Sequence, residues 1–184
     1  MIRIVDFFFA LLGLFLLSPL IFVLLIVGYL DTGSPVFVQE RVGKNKKPFK
    51  LFKFRSMKLE TQSVATHLAE PSSVTRFGSF LRKSKLDELP QLINVLIGDM
   101  SLVGPRPNLF NQIELIEERE KRGVYQVLPG ITGEAQIYKI DMSTPVFLAE
   151  TDAKMVKNRS FKNYLYYIIV TVFGKGSGDR IKKK

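Results

Sequence analysis

No charged residue occurs between Phe7 and Val27, and a run of roughly 20 apolar residues reaches about 30 Å as a straight helix, the thickness of a bilayer's hydrocarbon core. A chain of 184 residues has few places to put such a helix. A soluble core would have to surround it on all sides. A cleaved signal peptide has a shorter apolar region and a small-residue cleavage site, which the following DTGSP does not supply. The segment is therefore read as a membrane element, residues 1–30, followed by one water-facing domain, residues 31–184.

Ser18-Pro19 lies in the middle of the run. Proline removes one helical hydrogen bond and crowds the preceding turn, and the serine hydroxyl can re-satisfy the freed backbone. Both a single kinked span and a helix-break-helix hairpin that re-enters one leaflet fit these residues. Arg3 precedes the run, and Arg41, Lys44, Lys46 and Lys47 follow it. Both ends therefore favour the cytoplasmic side.

Composition narrows the chemistry. A net charge of +10 and a pI near 9.8 imply an anionic partner such as lipid headgroups, nucleotides or nucleic acid. The chain has no cysteine and a single histidine, His67, so thiolate nucleophiles, disulfides and His/Cys metal clusters are excluded and any metal must be held by carboxylates. Neither a P-loop nor a dinucleotide-binding glycine fingerprint occurs, and GKGSG from Gly174 reads as a flexible tail. Aromatic nucleic-acid-reading motifs are missing.

The chemistry-bearing stretch runs from Leu81 to Pro107, LRKSKLDELPQLINVLIGDMSLVGPRP. Leu86, Leu89, Leu92, Ile93 and Leu96 recur at helical spacing and predict one buried face. Ser84 three residues before Asp87 fits a capping pattern, and Pro90 is comfortable in a first turn, so the spacing predicts a helix start between Ser84 and Glu88. Asp87 would then sit where unpaired amides and the positive end of the dipole favour a carboxylate or a phosphate. Arg82, Lys83 and Lys85 add positive charge. Adjacent helix residues diverge by about 100°, which gives Asp87 and Glu88 separate jobs. Pro105 and Pro107 restrict the backbone on both sides of Arg106 and hold its planar fork of donors in a stiff loop, an arrangement suited to a diphosphate.

These residues carry a resemblance. SKLDELPQLINVLIGDMSLVGPRP resembles the core signature of the bacterial sugar transferases, the monotopic phosphoglycosyl transferases that begin glycan assembly on a polyprenol phosphate. It extends upstream through RFGSFLRKS and FVQERVGKNKKPFKLFKFRSM to the membrane segment with Ser18-Pro19, and downstream through LPGITGEAQ. The resemblance implies a re-entrant membrane helix facing the cytoplasm of a bacterial inner membrane and a minimal catalytic domain. It implies transfer of a phosphosugar from a UDP-sugar to undecaprenyl phosphate, with release of UMP. In that chemistry Asp87 is the nucleophile, Glu88 is the supporting carboxylate, both are candidates to hold Mg²⁺, and Arg106, Arg82 and Arg55 neutralise phosphate. Membrane lipid is a further partner, nucleic acid is not, and a homodimer stays open. Where relatives read PGITGWAQVNGR, this chain has PGITGEAQIYKID, with Glu134 at the aromatic position and Ile140 at that of an arginine.

The remaining chain predicts an α+β, mostly helical fold. Val36–Val38 and Phe49–Phe54 flank a turn and form a β-hairpin, on which Lys53 and Arg55 either face solvent or reach phosphate. Lys58 to Thr75 reads as a loop, and LPGITG as a turn. Asn108 to Arg122 reads as an amphipathic helix with Leu109, Ile113 and Ile116 inward and charged pairs outward. Thr144-Pro145 opens another helix. Phe161 to Phe173 is rich in apolar and aromatic residues and reads as a helix in the membrane plane, assisted by Lys162, Lys175 and Lys182 to Lys184, or else as a core helix. The competing functional class is a non-catalytic basic membrane-binding module, or a scaffold for a glycan assembly complex.

Overall fold

The computed structural model describes residues 2–61 and 71–173. His67, Lys175, Lys182 to Lys184 and the GKGSG segment lie outside the described residues.

Helix α1 spans Ile2–Thr32 and carries Pro19 inside it. Pro19 has no N–H to offer the Phe15 carbonyl four residues back. The Ser18 hydroxyl donates to that carbonyl instead, at 2.8 Å, and helical structure continues on both sides. The break expected at Ser18-Pro19 is one backbone hydrogen bond replaced by a side chain, with no gap in the helix.

Both ends of α1 dock on the same domain. Near its start Arg3 donates to the carbonyls of Val95 and Leu96. Asp6, only 1% exposed, accepts from the Leu102 amide at 2.8 Å, the Ser101 hydroxyl at 3.0 Å and the Tyr164 hydroxyl at 2.7 Å. Near its end Leu24 packs with Phe54 and Leu81, and Asp31 accepts from the Thr75 hydroxyl at 2.6 Å. Between these anchors Phe15, Leu16 and Leu20 are exposed.

Strands β1 (Val36–Val42) and β2 (Pro48–Phe54) form the expected antiparallel hairpin, with Arg41 opposite Phe49, Gln39 opposite Leu51 and Phe37 opposite Lys53. Cross-strand partners share a face, so Arg41 and Lys53 lie on the same inward side as Phe49 and Leu51. Helix α2 (Arg76–Ser84) is capped by Thr75, whose hydroxyl accepts from the Gly78 amide at 2.8 Å. Gly78 lies so close to the Ser56 backbone that a Cβ would fall 2.0 Å from its carbonyl oxygen.

Here the structure departs from the sequence reading. Ser84 is not a cap: it is the last residue of α2, and its hydroxyl donates back to the Phe80 and Leu81 carbonyls. Lys85 then turns left-handed (φ 60°) and closes α2. Asp87 and Glu88 occupy a single 3₁₀ turn, Leu86–Glu88, and helix α3 (Gln91–Ile97) starts only after Pro90. The phase of α3 is therefore set from Gln91. Asn94 and Val95 are its buried residues along with Gln91, and Ile93, expected inside, is exposed. Asn94 plugs the free edge of β2, accepting from the Phe52 amide at 3.0 Å and donating to the Lys50 carbonyl at 2.7 Å.

LPGITG is more than a turn. Strand β3 (Ser101–Val103) pairs in parallel with β4 (Gly130–Thr132). The two segments meet so closely just past β3 that a Cβ on Gly130 would lie 1.9 Å from the Gly104 amide nitrogen. Helix α4 (Ile113–Lys121) is shorter than the periodicity predicts and buries Leu115 and Arg119, leaving Ile113 exposed. A short α5 (Glu134–Ile137) leads to α6 (Pro145–Lys157), opened by its proline as expected. Helix α7 (Phe161–Val172) is apolar on two sides. Tyr164, Tyr167, Leu165 and Ile168 pack with Val103, Met155, Ile2 and Val5, while Tyr166, Ile169 and Val172 are exposed.

Candidate active site

The site is assembled from the 3₁₀ turn, the inward face of the hairpin and the loop after β3. Glu88, 8% exposed, accepts from Arg106 Nη2 at 2.7 Å, and Lys53 Nζ stands 4.0 Å from the same carboxylate oxygen. Asp87, next along the turn, is 2% exposed. A shallow pocket opens here, lined by Arg41, Leu51, Lys53, Gln91, Arg106, Pro107, Gly130 and Ile131. Three cations thus face one pocket beside two carboxylates. Glu88 balances part of this charge through Arg106 and Lys53, and the positive excess that the three cations leave suits an anion.

Of the residues singled out from sequence, Glu88 and Arg106 are brought into contact, with Asp87 adjacent. Arg82 stands one turn after Gly78 on α2, and its Nε donates to the Ser56 hydroxyl at 2.8 Å. Arg55 is placed elsewhere: its Nε donates to the Ser34 carbonyl at 2.8 Å, and its guanidinium lies 5.3 Å from the centre of the Phe37 ring. It ties the hairpin to the exit of α1. Lys53, left open between solvent and phosphate by the sequence, joins the pocket.

The sequence marks Arg41 only as a charge after the membrane run, whereas the structure places it in the pocket. A signal existed. On β1 and β2 the alternation that sends Phe49 and Leu51 inward also sends Lys53 and, through its partner Phe49, Arg41 to the same face. A cation at an inward strand position is a candidate ligand group.

Asp87 and Glu88 supply hard carboxylate oxygens of the type that holds Mg²⁺ through one or two protein ligands plus substrate phosphate. No cluster of three His, Cys, Asp or Glu side chains occurs among the described residues, so a divalent ion here would depend on the substrate for much of its coordination.

Glu134 faces a different set of groups. Its carboxylate accepts from the Tyr167 hydroxyl at 3.0 Å and lies 3.8 Å from Lys154 Nζ. Burial, reinforced by that carboxylate, pushes the Tyr167 phenol up and keeps it protonated. Ile140 packs against the cluster of Leu115, Ala135, Leu148 and Ala149. Neither residue lines the Arg106 pocket.

The family model for bacterial sugar transferases matches residues 1–175. The chain belongs to that family. Among curated relatives, a Bacillus subtilis protein provisionally named an undecaprenyl-phosphate N-acetylgalactosaminyl 1-phosphate transferase is 50% identical over 108 residues, 57% of this chain and 60% of the relative. The Bacillus subtilis sugar transferase EpsL, described as uncharacterized, is 42% identical over 84% of this chain and 77% of its own length. The UDP-glucose:undecaprenyl-phosphate glucose-1-phosphate transferase of Escherichia coli is 46% identical over 72% of this chain but only 30% of its own length. The matched region of this bacterial sugar transferase thus spans from under a third to about three quarters of those relatives.

Proposed function

We propose that this chain is a monotopic phosphoglycosyl transferase that moves a phosphosugar from a UDP-sugar to a polyprenol phosphate, undecaprenyl phosphate in bacteria, and releases UMP. The observation that carries the reading is the Glu88–Arg106 contact beside a pocket lined by three cations, together with an apolar helix docked at both ends on the same domain. A water-soluble diphosphate donor and a lipid phosphate acceptor need to meet at one anionic site near the bilayer, and this arrangement supplies it. Relatives named for transfer of a sugar phosphate to undecaprenyl phosphate support the same chemistry.

In the first step a carboxylate oxygen of Asp87 attacks the β-phosphorus of the donor. A P–O bond to Asp87 forms, the bond to the bridging oxygen breaks, and UMP leaves with that oxygen. In the second step the polyprenol phosphate oxygen attacks the same phosphorus and the aspartate is regenerated. Splitting the transfer makes each displacement a simple in-line exchange and gives ping-pong kinetics. Arg106, Lys53 and Arg41 neutralise the diphosphate, and the rigid fork of Arg106, fixed by Glu88, orients it. Mg²⁺ held by Asp87 and Glu88 would add charge neutralisation at the phosphate oxygens.

Two features support the membrane assignment. A straight helix of 31 residues is about 45 Å long and would put its ends on opposite sides of a bilayer, yet Arg3, Asp6 and Asp31 all bind one polar domain. This favours entry and exit through one leaflet, on the cytoplasmic side that the flanking cations prefer. The exposed apolar side of α7 then lies in the interface.

The test is UMP release from a panel of UDP-sugars with polyprenol phosphate, with mass spectrometry of the protein quenched under donor alone. A phosphosugar adduct on Asp87 and an inactive Asp87→Asn variant are expected. An active Asp87→Asn variant would remove the mechanism.

A further inference from the structure

The loop that presents Arg106 is held almost entirely through its carbonyls. Prolines at 105 and 107 have no N–H to donate. The Pro105 carbonyl accepts from the Gly130 amide at 2.9 Å and the Asn108 carbonyl from the Val42 amide at 2.9 Å. The two carbonyls between them depend on side chains: Pro107 accepts from Arg41 Nη1 at 3.2 Å, and Arg106 accepts from Arg119 Nη1 at 2.9 Å.

Arg119 is buried at 1% exposure against Asp152 at 0%. Its Nε and Nη2 both donate to Asp152 Oδ2, at 3.0 and 2.6 Å, and Nη1 also donates to Asn108 Oδ1 at 2.9 Å. One nitrogen therefore holds both ends of the Arg106–Asn108 segment, while the carboxylate of α6 holds the guanidinium. Burial pushes the Asp152 carboxyl up and opposes its ionisation, and Arg119 acts in the other direction. A buried ion pair of this kind gives little net stability relative to apolar side chains of equal size. Its consequence here is geometric, because a planar, pre-organised fork fixes directions that a packed methyl surface does not.

We propose that Arg119, oriented by Asp152, is a positioning residue for the transfer: it sets the Arg106 peptide so that the Arg106 guanidinium meets Glu88 and the diphosphate together. This rests on the reading of Arg106 as a diphosphate ligand. Displacements near 1 Å at a reacting group can lower rates about 100-fold, and that is the scale of the effect expected.

The test is a double-mutant cycle in the full-length protein in nanodiscs, reading binding of inorganic pyrophosphate with Mg²⁺ by calorimetry and, separately, UMP release. Arg119→Lys keeps a buried cation but not the fork. The expected result is a loss of pyrophosphate affinity of tenfold or more and a similar or larger fall in kcat/KM, both shrinking to within twofold when Arg106 is already Ala. Arg119→Met with Asp152→Leu replaces the pair by apolar groups and serves the same comparison where the Lys variant fails to fold. Equal losses in the two Arg106 backgrounds, or wild-type affinity and turnover in either variant, would overturn the positioning role. Absence of pyrophosphate binding by the unaltered protein would instead overturn the reading of the pocket, and the proposal with it.

Discussion

Asp6→Ala should uncouple the start of the membrane helix from the domain. Three donors converge on one oxygen of Asp6, from the Leu102 amide, the Ser101 hydroxyl and the Tyr164 hydroxyl, at 2.8, 3.0 and 2.7 Å. Hydrogen bonds to a charged group contribute about 1.5–3 kcal/mol each. Because all three share Oδ1 they are not additive, and removing the acceptor also leaves a backbone amide and a phenol without their partner. A loss of about 3 kcal/mol is the reasoned value, which for a chain of this size lowers Tm by roughly 6–12 °C. Asp6→Asn keeps an amide oxygen for one or two of the donors and should lose less than half as much. The chain has no cysteine, so a single one placed ahead of Met1, and another at Lys157, report sidedness cleanly. With an impermeant maleimide on inverted vesicles and on spheroplasts, both should label from the cytoplasmic side. In Asp6→Ala the first should become partly reactive from the outer side, while Lys157→Cys stays put. An Asp6→Ala variant melting within about 1 °C of the parent would refute the stability argument, and an unaltered protein whose two cysteines label from opposite sides would refute the docking argument.

Arg106→Lys should lower kcat/KM for UMP release about 10²–10³-fold, the range for removing one preorganised charge-stabilising group, with little change in melting; activity within twofold would show that a point charge suffices. Gly130→Ala should prevent folding, since the added carbon would fall 1.9 Å from the Gly104 nitrogen; a folded, active variant would show that β3 and β4 can separate. Removal of divalent ions with EDTA should abolish UMP release until Mg²⁺ is returned, and full activity in EDTA would release Asp87 and Glu88 from any metal role. Burial raises the Tyr164 and Tyr167 phenols above their ordinary range, reinforced by hydrogen bonds to Asp6 and Glu134. The unfolded phenols lose their protons near pH 10 while these folded ones keep theirs, so the native state binds more protons and stability falls as pH rises beyond about 10. Absorbance at 295 nm should then show phenolate forming together with unfolding. Independent titration of both phenols near pH 10 in folded protein would contradict this.

Patterns that depend on repeated apolar residues were legible in advance. The membrane run, the hairpin and the apolar α7 each follow from spacing within one element, and the start of α6 from its Thr144-Pro145 pair. Misreadings came where a local signal was overruled by a neighbour. Ser84 has the identity of a cap, yet α2 runs through it and the left-handed Lys85 stops the helix one residue later. Ile93 fits the helical repeat counted from Leu86, but Pro90 restarts the helix and turns that side chain outward. The glycines of LPGITG look like turn residues; at Gly130 the missing side chain instead admits the close approach of β3.

The candidate site divides along a similar line. Asp87, Glu88 and Arg106 stand out because charge beside proline in an apolar context is unusual. Arg41, Arg119, Asp152 and Asp6 do not, because each is a charged residue in a stretch where charge is ordinarily solvated. Their roles depend on partners far away in the chain: Asp6 meets Tyr164, and Arg119 reaches both Asp152 and the Arg106 carbonyl. No periodicity within a single helix encodes such a pairing. What α4 does reveal is a mismatch: Arg119 falls four residues after Leu115 and so belongs to the buried side of that helix. An arginine forced inward by helical phase needs an acceptor, and the acceptors this one finds are the buried Asp152 carboxylate and the backbone carbonyl of Arg106.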